Sequence, residues 1–329
     1  MAALFERSQV GKREDLADYI TLVDAKDTPV TSMIPKGNKP GNTLLQFQAD
    51  NMPDAVITGT VDGTDVSSYQ NLNEGRKLLT NYIQVFQRAI RVSPLAVDVS
   101  IVAGLRDELA GMVAKGIKAL KRDMEKTVCS DNAAQVDAGG TTPYLTKALG
   151  KWTTNESQTG VVCPIDDLYL IPTTSVNTTV TGSFTETDAQ GVLTSIYGQT
   201  GQMKTYDTVV GPTLKRAFSN LLYTATASGT NAYASIRTLS RDAFSDTISS
   251  SVDLFEGDFG SLRLHPTLFN PNAFRGYVLD MDLLELRYTN LPQVTELPDA
   301  GGGPARLIKA VAGLVCKNPL GLGKFAATS

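Results

Sequence analysis

Between Ser93 and Cys129 the apolar residues recur every three or four positions, at Ile101, Leu105, Leu109, Val113, Ile117, Leu120, Met124 and Val128. That spacing lays them along one side of a 3.6-residue helix. Ser93 is a good N-cap and Pro94 suits the first helical position, where its missing N–H costs nothing. The turn-prone Ser130, Asp131 and Asn132, followed by Gly139-Gly140, close the region. A helix over this whole span is a rod of about 50 Å, several times the ordinary length. At about 100° per residue, Lys115, Lys118, Arg122 and Lys126 fall within about 80° of one another, opposite the apolar stripe. The basic side reads either as an ordinary solvated face or as a surface for nucleic-acid phosphates or a neighbouring subunit. Glu108 shares it, and Asp123 and Glu125 lie nearby.

The rest of the chain is less regular. Leu16, Tyr19, Ile20 and Val23 behind Arg13-Glu14-Asp15 predict one short helix in an otherwise polar arm. Pro29, Pro35 and Pro40 then interrupt regular structure, and Leu44 to Gln48 opens as a strand. A second β-rich run covers Asn81 to Val92, and the connection between the two is rich in turns, including Pro53-Asp54, Asp62-Gly63 and Glu74-Gly75. Two strands joined this way, apolar on both faces, predict a projecting hairpin that completes its packing on something else.

Residues 141–183, dense in Thr, Ser, Asn and Val around Trp152 and Asp167 to Pro172, read as short strands and loops. Thr185 with Asp188 resembles a capping box, and Ala189, Val192, Leu193, Ile196 and Tyr197 keep helical spacing as far as Gly198 and Gly201. A strand at Thr208 to Val210 precedes a helix opened by Gly211-Pro212, with Leu214, Ala217, Phe218 and Leu221 on one side. Beyond the polar residues 224–250, Val252 to Pro266 holds two alternating runs about a turn at Glu256-Gly257-Asp258. Strands follow at Tyr277 to Leu279 and Leu283 to Tyr288, and after the glycine run 301–303 a long strand at Arg306 to Asn318 returns to the core. There are no internal repeats.

Composition narrows the function. A chain of 329 residues can bury a large core in two or three lobes. Its net charge of −4 and pI near 5.2 argue against a dedicated DNA-binding protein, so any DNA contact is expected to be local and non-specific. Cys129, Cys163 and Cys316, odd in number and widely spaced, read as buried free thiols of a reducing compartment. The opening MAALFERSQVGKRED lacks the apolar core of a signal peptide, and no stretch has the eighteen or so apolar residues of a membrane span, so a soluble cytosolic chain is expected. The sequons at Asn155 and Asn177 therefore carry little meaning.

Catalytic chemistry is sparse. The single histidine, His265, supports neither a metal site nor a Ser-His pair. Carboxylates gather at Asp253, Glu256 and Asp258 and again at Asp280, Asp282 and Glu285, where turn and edge solubility explains them more simply than a hard cation. The triple glycine lacks the Lys-Ser/Thr of a P-loop, and there is no GxSxG elbow. No catalytic, cofactor-binding or metal-binding residue is nominated, and no cofactor is expected.

Taken in order, REDLADYITLVDAKDTPVTSMI, the helix ending ALKRDMEK, LFEGDFGSLRLHP, YVLDMDLLELRYT and the closing KNPLGLGKF resemble blocks of the major capsid proteins of tailed bacteriophages with the Hong Kong 97 type fold. The resemblance runs from about Arg13 to Phe325, and residues 137–183 and 222–250 match no part of it. It implies an α+β subunit with residues 1–38 as an N-terminal arm and 39–92 as an extended β-hairpin loop over a neighbour. Residues 93–140 and 301–329 would make a peripheral domain with a long spine helix, and 141–300 an axial domain. It implies self-assembly as hexamers and pentamers into an icosahedral head enclosing double-stranded DNA, built in the host bacterial cytoplasm and ending in the virion, with no membrane partner. A scaffold is expected to be a separate protein, because only about a dozen residues precede the first matching block, and the resemblance implies a portal and a decoration protein as further partners. A nanocompartment shell around an enzyme cargo, an isolated enzyme resting on the carboxylate clusters, and a decoration or tail protein are the competing readings.

Overall fold

A computed structural model describes residues 28–53, 55–99, 108–179, 181–221, 239–242, 245–248, 252–299 and 301–326. The arm helix expected around Leu16 to Val23, the middle of the long helix with Ile101 and Leu105, and most of 224–250 lie outside the described residues.

In chain order the elements are α1 (Pro29–Met33), β1 (Leu44–Ala49), β2 (Lys77–Tyr82), β3 (Gln84–Arg91), α2 (Pro94–Val99), α3 (Glu108–Cys129), α4 (Leu149–Trp152), β4 (Val176–Asn177) and α5 (Glu186–Thr200). They continue with β5 (Thr205–Val210), α6 (Pro212–Asn220), β6 (Leu239–Asp242), β7 (Ser245–Ile248), β8 (Leu254–Gly257), β9 (Gly260–Pro266), β10 (Gly276–Leu279), β11 (Leu284–Leu297), β12 (Ala305–Cys316) and β13 (Gly323–Phe325).

Local signals form where the sequence places them. The Ser93 hydroxyl accepts from Ala96 N at 3.2 Å at the start of α2. Thr185 and Asp188 form the capping box of α5, which ends at Gly201, and Pro212 opens α6. On α3 the apolar stripe faces inward, with Leu120, Met124 and Val128 buried and Val113 and Ile117 packed against the same core.

Two sheets organise the molecule. A three-stranded antiparallel sheet, β11-β12-β3, lies against α3. A mixed six-stranded sheet, β4-β13-β10-β5-β9-β8, carries α5 and α6 on one face. Successive side chains of a strand point to opposite faces. Hence Val278 packs with Leu193, Leu214 and Phe218, while Tyr277 and Leu279 join Val128, Trp152 and Leu284 on the other side. Tyr277 Oη donates to Cys129 O at 3.1 Å, tying the end of α3 to the six-stranded sheet.

Strand pairing joins residues on both sides of position 300. β11 runs to Leu297, nine residues beyond the predicted Tyr288, because it pairs with β12 from Leu284↔Cys316 to Leu297↔Ala305. β13 instead joins β10 in the six-stranded sheet.

The predicted single strand from Asn81 to Val92 is two. β2 pairs with β1 and β3 pairs with β12, and the change of partner falls at Ile83. The cause is Asn81, which is buried. Its Nδ2 donates to Thr146 Oγ1 (3.0 Å), Lys147 O (3.2 Å) and Leu314 O (2.5 Å), while Oδ1 accepts from Tyr82 N and Lys147 N at 2.8 and 2.7 Å. The hairpin base can lie this close to β12 because residue 313 is glycine: a Cβ there would sit 2.6 Å from Leu45 Cδ1 and 3.2 Å from Tyr82 O.

The sequence places Glu125 beside the basic face, but its carboxylate is fully buried and points into the arm. Oε1 accepts from Val30 N and Oε2 from Thr31 N, both at 2.8 Å, so the side chain caps the first turn of α1 from another element. Burial lifts its pKa, against the opposing pull of the Thr31 and Val30 hydrogen bonds.

Replacing Asn81 with Ala strands several buried backbone groups and is expected to destabilise the unassembled subunit by about 3 kcal/mol, read from urea midpoints at constant slope. Asn81→Asp is expected to be worse, since it sets a buried negative charge against carbonyl oxygens. For Glu125, whose folded pKa is raised, the stability it contributes is complete below the ordinary value of 4.5 and is lost as pH rises through the folded value. Wild type is therefore expected to gain on Glu125→Gln as pH falls from about 8 toward the unfolded carboxyl range, in paired denaturation curves. A difference independent of pH excludes a perturbed carboxyl at this position.

Candidate functional site

Three surface features stand apart from the packed core. The first is the segment between β1 and β2. Its base is fastened by Arg76, whose Nε and Nη2 donate to Asp50 Oδ2 at 3.2 and 3.1 Å, and by Tyr169 Oη, which donates to Gly75 O at 2.8 Å. Beyond the base no strand or helix forms among the described residues, yet the side chains are strongly apolar: Ile57 is fully exposed, Tyr69 is 89% exposed, and Met52, Val56, Val61, Val66 and Leu72 all face solvent. An exposed apolar set on one segment is the surface of an interaction.

The second feature is the outer side of α3. Lys115, Lys118 and Lys126 are exposed, as expected of a basic stripe. Arg122 differs: it is half-buried, with its guanidinium carbon 5.8 Å from the centre of the Phe269 ring, so it ties the helix to the loop before β10. Asp123 is engaged by Arg88 of β3 through two bonds of 2.7 Å. The charge left facing outward is therefore that of the lysines. Lys121, which lies off the basic stripe, is exposed on the side of the helix toward Met124 and Tyr288.

The third feature is a groove beside β11, floored by Tyr288, Leu291 and Pro292 and edged by Lys36, Lys39 and Lys121. No sequence pattern marks it, because segments far apart in the chain build it.

The positions with catalytic potential are structural instead. His265 Nε2 lies 2.9 Å from Asp207 Oδ1, with Arg263 Nη1 at 3.6 Å, a surface cluster across the paired strands β5 and β9. Asp280 and Asp282 converge on Lys204 at 3.0 and 3.2 Å, Glu285 meets Lys317 at 2.7 Å, and Asp253 meets Lys215 at 2.7 Å. Lysine ammonium groups thus already pair with these four carboxylates. Among the described residues no group of His, Cys, Asp and Glu is arranged to hold a metal ion, and no helix is long and apolar enough to cross a membrane. Cys129, Cys163 and Cys316 are free and buried, and burial pushes the Cys316 thiol up to about 12, far from a reactive thiolate.

Solved structures share this architecture from end to end. The capsid asymmetric unit of cyanophage A-1(L) superimposes with a TM-score of 0.67 at 12% identity, covering 97% of this chain and 98% of that one. The Mycobacterium phage Bobi structure gives 0.57 at 13% identity over 99% and 100% of the two chains. The capsid asymmetric unit of cyanophage Pam1 gives 0.57 at 10% identity over 99% of each. At such identities the likeness establishes the fold, which is the Hong Kong 97 type. No curated protein matches the sequence. The family model described as SU10 major capsid protein matches residues 4–329. A match over nearly the whole length, on a chain with this fold, shows that the protein belongs to the SU10 major capsid protein family.

Proposed function

We propose that this subunit closes an icosahedral phage head by assembling with itself as hexamers and pentamers around double-stranded DNA. The observation that carries the reading is the family match over residues 4–329, joined to a segment whose apolar side chains have no cover among the described residues. A monomer gains nothing from exposing such residues, whereas a symmetric assembly buries each copy's segment on the next copy.

Sheet membership supports a division of labour. The peripheral part is α3 with β11-β12-β3, and the axial part, which would gather around the symmetry centres, is the six-stranded sheet with α5 and α6. Residues 1–38 serve as the arm and 39–92 hold the extended loop. Glu125 supports the first assignment, because it anchors the arm's last turn to the spine helix. The role is mechanical, with no cofactor in the reading. A separate scaffolding protein, a portal and a decoration protein are the partners such a shell takes during assembly in the host cytoplasm. Lys115, Lys118 and Lys126 make a non-specific contact, either with packaged DNA or with a neighbouring subunit.

Electron microscopy of the purified protein is expected to show closed shells, and tubes or small rings in their place would overturn the reading. Deleting residues 55–75 is expected to leave a folded subunit with native circular dichroism that fails to form shells. Shells of wild-type yield from that deletion would remove the loop from the assembly contacts. Reversing Lys115, Lys118 and Lys126 to Glu is expected to lower shell yield or DNA content. If both are unchanged, the lysines form only a solvated face.

A further inference from the structure

The groove beside β11 opens where the arm and the strand part. β11 is the edge strand of its sheet, and the arm covers that edge only at its start: Leu286 N donates to Pro35 O at 2.9 Å, and Gly37 N donates to Leu286 O at 3.1 Å. Past that bridge the pairing of β11 with β12 shifts between Tyr288 and Asn290 and again between Asn290 and Gln293. Such bulges bend an edge strand away from its neighbours. A hollow of about 430 Å³ lies there, and a second of about 260 Å³, which shares Lys36, Tyr288, Leu291 and Pro292 with it, reaches Lys121 and Met124 on α3. The floor is apolar, with Leu291 57% exposed. The rim is basic: Lys36, Lys39 and Lys121 are exposed and form no ion pair among the described residues.

Thr28, the first described residue, lines the second hollow. It is the N-cap of α1 without a side-chain cap of its own, because Glu125 takes the N–H groups of Val30 and Thr31. Residues 1–27 therefore meet the described structure at the wall of the groove. Those residues lie outside the described ones, and what bears on the groove is their sequence. Read as a helix, Leu16, Tyr19, Ile20 and Val23 form one apolar stripe, and at about 100° per residue Asp15 and Asp24 fall about 90° to either side of its centre. Residues 14–27 carry Glu14, Asp15, Asp18, Asp24 and Asp27 against the single Lys26. A segment that is apolar along its middle and acidic on both sides complements an apolar floor between lysines.

We propose that this groove is the docking site of residues 14–27 of the same chain. Leu16, Tyr19, Ile20 and Val23 lie over Tyr288, Leu291 and Pro292, and the flanking carboxylates meet Lys36, Lys39 and Lys121. The direct connection at Thr28 selects the chain's own segment, because so short a tether holds it at high effective concentration. The 52–72 segment of the same chain starts from the other face of the sheet, on the side of the hairpin base. Docking covers the open stretch of β11 beyond Leu286, which leaves a free subunit with one edge fewer to pair with another chain. The inference concerns a single chain and goes beyond the shell reading without needing it.

The test combines Ile20→Cys and Leu291→Cys in the full-length protein, at a concentration too low for assembly, the native thiols being buried. Mild oxidation is expected to link the two within one chain. The product then stays at the monomer position on a denaturing gel, its digest contains the joined peptides, and neither single variant gives it. Hydrogen exchange on chains without added cysteines covers a cysteine variant that does not fold. Lys121→Glu is expected to speed exchange in residues 14–27 about tenfold, and adding Asp24→Lys in the same chain to return it to the wild-type rate. Absence of the internal link, with exchange in residues 14–27 unmoved by Lys121→Glu, overturns the docking and leaves the shell reading untouched. A band of dimer size in place of the internal link gives the groove to a second copy and overturns the proposal as well. The internal link in a protein that forms no closed shells at higher concentration supports the docking and overturns only the shell reading.

Discussion

β12 has to satisfy neighbours on every side at once, and the rest of the molecule is arranged around that requirement. It pairs with β11 along one edge and β3 along the other, α3 lies over one face, and the base of the β1–β2 hairpin lies over the other. A strand covered this way reads as a nearly continuous apolar run, as Ala305 to Cys316 does. Its two close approaches depend on missing side chains. Gly313 admits the hairpin, and Gly116 of α3 admits Ile308 and Ile90, whose methyls would lie 2.5 and 2.6 Å from an added Cβ. An alanine at either position would have to push backbone or branched side chains aside, and protein interiors have little room to give.

Buried polar groups set the orientation of the parts that packing leaves free to slide. Asn81 fixes the hairpin against β12, and Glu125 fixes the arm against α3. Lys147 does the same for the loop after α3: its ammonium donates to Cys163 O at 2.6 Å and lies 4.2 Å from the centre of the Trp152 ring. Burial lowers its pKa from 10.5 to about 8. The unfolded chain therefore holds that proton more tightly, and the stability linked to Lys147 is present above pH 10.5 and lost as pH falls through about 8. These groups add little net stability, because each loses its hydration on folding. Their value is in excluding other arrangements, which matters for a subunit whose surfaces must meet copies of themselves.

What could be read from the chain beforehand was what depends on nearby residues. The stripe of α3, the Thr185–Asp188 box and the Gly211-Pro212 helix start are decided within a few positions, and each forms where its residues place it. The turn expected at Glu256-Gly257-Asp258 falls instead at 258–259, because Glu256 and Gly257 still pair with Ser261 and Gly260. The run from Asn81 to Val92 looked uniform because β propensity does not record which strand is the partner. Its division at Ile83 is decided by Leu314 and Thr146, far away in sequence. The full length of β11 was hidden for the same reason, since its polar outer half is a strand only because β12 runs alongside. Glu125 looked like a surface charge because its partners are backbone N–H groups of the arm, which no side-chain pattern reveals. The groove beside β11 was invisible because three separate segments build it.

The extended segment poses a thermodynamic problem for the free subunit. Apolar side chains from Met52 to Leu72 have no cover among the described residues. Each buried apolar side chain contributes on the order of 2 kcal/mol, so covering several of them in every copy is a large driving force for association. The same apolar surfaces on free subunits would favour unregulated aggregation. The acidic charge of the segment, with no Lys or Arg between residues 52 and 72, restrains that outcome, since equal charges repel two free segments. A head-to-tail contact made by such a segment would pass from copy to copy around a ring, and the geometry of the ring then decides whether the chain of contacts closes.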